Sequence, residues 1–363
     1  MGVEAALRCV HLREHTPRVR EEARAGRQEP HAARRALEER RAELSLEPAY
    51  LTRERRLRDV QALRRAADVP FFRHGDEILD LGEAHVASAL LPDPPASNTE
   101  SVLERQRGPT QPRGMRIERH RAGAVARLQA AGAAAAATLR LVGARLREGM
   151  STADIDGMVR EHTAQQGARP SQLGYHGFPA TVCTSVNDVV CHGVPGPTTV
   201  LAAGDIIAVD VTSELDGYHG DTCTTFFVGQ PSAEARHVVE TARRCRQAGI
   251  DEVRDGARLG DIGAAVEALA QAEGCHVVRE VGGHGIGRRM HMPPHVPHFG
   301  RRGSGRRLRS GMAITIEPIV TLGGPGLIED ADGWTLRSAD GALAAQFEHT
   351  VLVTRRGCDV LTL

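Results

Sequence analysis

The stretch DIIAVDVTSELDGYHGDTCTTFFVG, residues 205–229, decides the fold class of this chain. Two strand-like runs flank the turn DGYHG, and Asp-Gly is the pair a tight hairpin favours. A turn centred on Asp216-Gly217 sets Asp221 opposite Thr212 and Asp210 opposite Cys223. Asp210 and Asp221 then become diagonal neighbours on one face, within reach of a shared ion. For either aspartate alone, a turn acid or a strand-edge residue is explanation enough.

Outward from this hairpin the pattern alternates. On the N-terminal side an alanine-rich helix is expected from Ile117 to about Glu148, then Gly149, the cap-like Ser151-Thr152, a second helix over Ala153 to Gln166, and a strand in ATVCTSV. On the C-terminal side, Ala233 to Ala248 and Leu259 to Ala272 read as helices. HVVREVG, AITIEPIV, WTLRS and QFEHTVLVT read as strands. Two helices then strands, twice over, is the pattern of an internally duplicated α+β domain, although no sequence repeat accompanies it.

Residues 1–112 differ. They are rich in arginine and glutamate, hold only Tyr50, Phe71 and Phe72 as aromatics, and end in the linker-like PDPPASNTESVLERQRGPTQPRG. Short helices are expected in HAARRALEERRAEL and LTRERRLRDVQALRRAA, within a helical, partly disordered extension. The chain thus divides into an extension and linker over 1–112 and a compact α/β domain over 113–363.

Composition removes several chemistries. All 46 basic residues are arginine, so Schiff-base, Ser-Lys and P-loop mechanisms are excluded. The 46 acids balance them, which gives no case for direct nucleic-acid binding or for a membrane surface. Seven scattered cysteines without a Cys-x-x-Cys pair read as free thiols of a reducing compartment. No apolar run approaches a membrane span, and the first residues lack a signal-peptide core, so the protein is expected in the cytoplasm.

What remains is chemistry by acids, histidines and metals. Glu317, after the run MAITI, and Glu348, in QFEHTVLV, lie in strands whose other residues are of buried type. A buried carboxylate costs several kcal/mol unless paired. Arginine would explain one such acid, and four need more. GGHGIGRRMH, residues 282–291, is not a dinucleotide loop, because Arg288 stands where that fingerprint requires glycine. Glycines beside His284 remove side-chain bulk, as a metal-ligating imidazole near backbone requires. One neutral imidazole with four carboxylates carries a charge of −4, which two divalent ions would cancel. An oxygen-rich set with one nitrogen suits Mn, Fe, Co or Zn. His192 and His291 could each be a satisfied core histidine, and His176, His219, His295, His298 and His349 are read that way.

The segments GYHGFPATVCTSVNDVVCHGVP, GDIIAVDVTSELDGYHGDTCTTFFVG, GGHGIGRRMH, ITIEPI, DGWT and QFEHTVLV resemble the type I methionine aminopeptidases, within the aminopeptidase, prolidase and creatinase superfamily. The resemblance runs from about residue 115 to 363. It implies a pita-bread fold, two pseudo-symmetric α/β halves with two divalent ions (Co, Mn, Fe or Zn) between curved sheets. By the resemblance Asp210, Asp221, His284, Glu317 and Glu348 are the metal ligands, with Asp221 and Glu348 bridging. Glu317 is the proton acceptor, His291 meets the scissile carbonyl oxygen, and His192 meets the amide nitrogen beyond the cut. Tyr175, Phe178, Cys183, Met290 and Trp334 form the pocket for the substrate's first side chain, with His176 lining the cleft. The chain departs from the family at Met290, where an aromatic is expected, and at Gln172, often a cysteine. The implied activity is removal of N-terminal methionine from nascent chains by a monomer. An arginine-rich extension is a candidate for ribosome association. An Xaa-Pro aminopeptidase of the same superfamily and a non-catalytic binding module are the competing readings. The first is opposed by the YHGFP and CHGVP segments, the second by the complete ligand set.

Overall fold

The computed structural model describes residues 117–363. The helices expected before residue 112, the domain boundary there and Cys9 lie outside the described residues. The described residues contain four α-helices: α1 (Ala122–Arg145), α2 (Thr152–Gln165), α3 (Ala233–Asp251) and α4 (Leu259–Ala272). The strands are β1 (Arg169–Pro170), β2 (Cys183–Val186), β3 (Val189–Cys191), β4 (Ile206–Leu215), β5 (Tyr218–Phe227), β6 (His276–Val277), β7 (Gly283–Gly285), β8 (Met292–Val296), β9 (Ala313–Ile316), β10 (Ile319–Thr321), β11 (Leu327–Glu329), β12 (Leu336–Ser338), β13 (Ala344–Val353) and β14 (Cys358–Val360). None of the described helices is long and apolar enough to cross a membrane.

The hairpin folds in the register its turn dictates. Asp216 and Gly217 take φ of 51° and 74°. Thr212 then pairs with Asp221, and Asp210 with Cys223. β4 and β5 belong to an 11-stranded sheet whose main path runs β1-β4-β5-β13-β9-β7-β8. The last long strand, β13, lies inside it, antiparallel to β5 on one side and to β9 on the other.

Both helix pairs cover the same face of this sheet. Ile207, Val209 and Val211 of β4, with Phe226 of β5, pack against Leu139 and Val142 of α1 and Ile155 and Val159 of α2. Ala345 and Phe347 of β13 pack against Val238 and Ala242 of α3 and Val266 and Ala270 of α4. Strand side chains alternate, so the intervening residues point to the opposite face. That face carries Asp210, Asp221 and Glu348.

Local signals start two helices, the first at the expected Ser151. Ser151 accepts from Asp154 N at 3.2 Å while the Asp154 carboxylate accepts from Ser151 N at 2.8 Å, a reciprocal cap for α2. Ser232 accepts from Ala235 N to start α3. Two expectations need correction. HVVREVG is a strand only over His276–Val277. Glu317 does not lie within a strand: it occupies the break between β9 and β10, where Pro318 brings no N–H to continue the ladder.

α1 approaches β5 through glycine. A Cβ on Gly220 would land on the backbone of Gly132 and Ala131. Gly220→Ala should therefore cost about 2 to 3 kcal/mol, read as a lower urea midpoint at unchanged slope. An unchanged midpoint would show that this contact yields freely.

Candidate metal centre and active site

Four carboxylates and one imidazole gather on the uncovered side of the sheet. Asp210 and Glu348 flank Cys223 across three adjacent strands, each directly opposite it. One step along, Thr212 opposes Asp221, and Thr350 opposes Thr315. The side chains thus form two neighbouring rows. His284, from β7, reaches across with Nε2 at 3.7 Å from Asp221 Oδ2 and 3.5 Å from Glu317 Oε1. Donor atoms of Asp221, His284 and Glu348 all lie within 4.8 Å of one another.

Threonines and a histidine orient these groups. Thr212 Oγ1 donates to Asp221 Oδ1 at 2.7 Å, and Thr315 Oγ1 donates to Glu317 Oε1 at 2.6 Å. His284 N donates to Thr315 Oγ1, so one hydroxyl serves two site residues. At the strand break Glu317 N donates to Nε2 of the buried His298 at 3.0 Å. Burial holds the His298 pKa down at about 3, so its ring is neutral and Nε2 is free to accept. His298 was read as a core histidine, and its contact with the Glu317 backbone has no signature in local spacing.

The electrostatics are one-sided. Burial pushes Asp210 and Glu348 well above the carboxylate range, and the neighbouring acids push further. Burial lifts Asp221 to about 6, against hydrogen bonds from Thr212 and Asp210 that pull it down. Burial likewise lifts Glu317 to about 8, with Asp221 adding to the rise. Burial lowers His284 to about 4, so its close approaches to carboxylates are not ion pairs at neutral pH. No ion pair among the described residues brings an arginine to any of the four acids. Asp210 Oδ1 and Glu348 Oε1 are buried without a hydrogen-bond partner. Orphaned carboxylate oxygens beside a neutral imidazole fit divalent cations and fit no side-chain partner present.

Around this centre the predicted residues fall into two groups. Phe178 and Cys183 are buried in one apolar cluster with Trp334 packed on them, the Phe178 and Trp334 rings 5.1 Å apart, edge to face. Burial raises the Cys183 thiol well above its ordinary value, so it stays S–H and apolar. Tyr175, His176 and His291 form the second group. Tyr175 OH lies 2.8 Å from His291 Nδ1, with His176 against the Tyr175 ring at 4.5 Å. The His291 ring stands 4.2 Å from that of His284. Lost hydration among these rings, and then His284, His192 and His176 themselves, hold the His291 pKa well below its ordinary value. His192 takes a left-handed backbone with φ of 54° and sets Nδ1 3.6 Å from Cys191 Sγ. Met290 is buried but lies outside the Phe178 cluster.

Gln172 is buried and fully engaged. Its Nε2 donates to Asp210 O at 2.8 Å, and its Oε1 accepts from Thr212 N at 3.1 Å. Ser171 N bonds Thr212 O just before it, so the carboxamide continues the β1 ladder along β4 after the main chain has turned away. It clamps the backbone of two residues that address the site. Gln172→Met, of similar length but without these bonds, should weaken divalent-metal affinity about tenfold, for roughly 1 to 1.5 kcal/mol lost. Calorimetric titration of metal-stripped protein checks this, and unchanged affinity would reduce Gln172 to packing.

The acids also set a pH dependence in the metal-free protein. A carboxyl whose folded pKa is raised favours the fold while protonated there, and that contribution is lost as pH rises through the folded value. For Asp221 the window is 3.8 to about 6, and for Glu317 4.5 to about 8. Below pH 6.5 the depressed His284 and His298 act with the opposite sign, so the metal-free melting temperature should fall as pH rises from 6.5 to about 8, and added Mn or Co should raise it most at the upper end. A flat profile, indifferent to metal, would contradict the electrostatic account.

Comparison with known proteins finds the model of metallopeptidase family M24 matching residues 126–355. Methionine aminopeptidase A of Synechocystis sp. is 46% identical over 239 residues, 66% of this chain and 94% of that protein. The methionine aminopeptidase of Escherichia coli K12 is 40% identical over 240 residues, 66% of this chain and 91% of that protein. The crystal structure of methionine aminopeptidase from Rickettsia prowazekii superposes with a TM-score of 0.67 at 38% identity, covering 68% of this chain and 100% of that one.

Proposed function

We propose, from the premise that the chain belongs to metallopeptidase family M24 and has the pita-bread fold of its methionine aminopeptidase relatives, that it removes N-terminal methionine from proteins and peptides by metal-assisted hydrolysis. The observation that carries this reading is a set of four acids, Asp221 and Glu348 buried and Asp210 and Glu317 half-buried, that no ion pair among the described residues joins to an arginine and that face one neutral imidazole.

In this reading Asp210, Asp221, His284, Glu317 and Glu348 would hold two divalent ions drawn from Co, Mn, Fe or Zn. When bound, such a pair acidifies water and polarises the scissile carbonyl. The chain's own residues do the rest. Glu317 accepts a proton from the attacking water. Its backbone bond to His298 and its hydroxyl bond from Thr315 hold it in place. Burial and the nearby Arg289 charge act oppositely on the Tyr175 phenol, with a net rise that keeps it protonated. With Tyr175 as donor in its contact with His291 Nδ1, the imidazole proton would sit on Nε2, the nitrogen that can donate to the carbonyl oxygen as charge develops there. His192 contacts the amide nitrogen beyond the cut. Phe178, Cys183 and Trp334 supply an apolar, polarisable wall for the thioether, with Tyr175, His176 and Met290 completing the surround.

The substrates are the N-termini of newly made polypeptides, met in the cytoplasm by a monomer. The arginine-rich residues 1–112 suit contact with the ribosome, and deleting them should lower co-sedimentation with it.

Asp221→Asn and His284→Ala should each lower turnover of Met-Ala-Ser at least a thousandfold, about 4 kcal/mol of transition-state stabilisation, with the circular dichroism spectrum unchanged. Release of free methionine should require added metal. Full activity in either variant would remove the two-ion assignment, and faster turnover of an Ala-Pro peptide than of Met-Ala-Ser would move the protein to the Xaa-Pro branch.

A further inference from the structure

A net charge of zero conceals a strong local excess. Three segments, 254–261, 301–309 and 354–357, are stitched together by main-chain bonds. Leu259 N reaches Arg306 O at 3.0 Å, Gly256 N reaches Leu308 O at 3.0 Å, and Asp255 N reaches Thr354 O at 3.1 Å. They carry nine of the 25 arginines found in residues 117–363. Against these stand Asp255, Asp261 and the adjoining Glu252, which leaves an excess of six positive charges. Seven of the nine arginines are exposed.

The guanidinium groups sit on a fixed frame. Arg258 Nη1 donates to Gly305 O at 2.8 Å, and Arg307 Nη1 donates to Gly256 O at 3.0 Å. These two bonds run in opposite directions between the first two segments, and a carbonyl partner removes no charge. A Cβ on Gly260 would strike Ser304 and the Arg301 carbonyl, so the strands of this corner touch with no slack. Arg302 and Arg254 share Glu252, at 2.8 and 3.6 Å, and Arg309 meets Asp255 at 3.5 Å. Arg301, Arg355 and Arg356 are exposed and take part in no ion pair among the described residues.

The surrounding chemistry selects among polyanions. Leu259 and Leu308 are buried, and the three segments contain no aromatic residue. The surface thus has no apolar wedge for a bilayer and no ring on which an unpaired base could stack. What it offers is planar guanidinium forks, which match phosphate oxygens.

We infer that this arginine corner, formed by 254–261, 301–309 and 354–357, is a docking surface for the phosphate backbone of double-helical RNA. Recognition by charge and shape alone is sequence-independent. The choice of RNA over DNA rests on the proposed substrate, since newly made N-termini emerge beside RNA. The inference gives the catalytic domain a nucleic-acid contact that the balanced overall charge argued against.

The test uses the full chain loaded with Mn, a labelled RNA duplex of roughly 16 base pairs, and fluorescence anisotropy over about 50 to 200 mM salt. Arg301→Gln/Arg355→Gln/Arg356→Gln should weaken binding at least tenfold. It should flatten the slope of log affinity against log salt by about 2 to 3, while Met-Ala-Ser turnover and melting temperature stay at the parent values. Equal affinity of parent and triple variant would overturn the inference and assign any binding to another surface. So would absence of RNA binding, a DNA duplex bound tenfold tighter than the RNA, or displacement by polyglutamate at matched charge. Failure of the parent to release methionine would strike the catalytic reading and leave the binding result readable.

Discussion

Everything in this catalytic domain answers to one unfavourable term: four carboxylates drawn out of water onto one face of a sheet, with no cationic side chain among them. Burial of this kind is tolerated only where something else supplies the positive charge. The helices sit on the far face, so that hydrophobic burial holds the strands rigid without closing the polar face. The threonines of that face spend their hydroxyls on aiming carboxylates and fixing neighbouring backbone. The same electrostatic strain that weakens the bare protein is what a divalent ion held there would relieve.

Much of this was legible in the sequence, and its limits are instructive. The hairpin register could be counted from Asp216-Gly217 because a two-residue turn leaves no freedom in the pairing. Glu348 could be placed on its strand from flanking residues of buried type. Glu317 could not, because Pro318 ends the ladder at that point and the glutamate backbone turns to His298 instead. That contact spans 19 positions and runs from main chain to side chain, so no periodicity records it. Gln172 stood out only as a departure from the family pattern, and its carboxamide bonds the backbone of β4. Side chains that stand in for missing strand residues are invisible to pattern analysis, because what they replace is a main-chain group.

Charge balance has a related limit. An average over 363 residues says nothing about where arginines meet. Segments 254–261 and 301–309 lie more than forty positions apart, and only the fold brings them to one corner. Composition therefore bounds what a whole chain attracts at long range, while short-range recognition is decided by loop packing.

The position of β13 has a consequence for how the domain is made. It is the last long strand in the chain, yet it occupies the interior of the sheet, between β5 and β9. Until it inserts, both of those neighbours present unpaired edges, and Glu348 is absent from the cluster. Its contacts with β5 close loops of more than 120 residues, a topology associated with slow folding. The strand that pairs both of those edges is also the strand that brings Glu348 to the other acids.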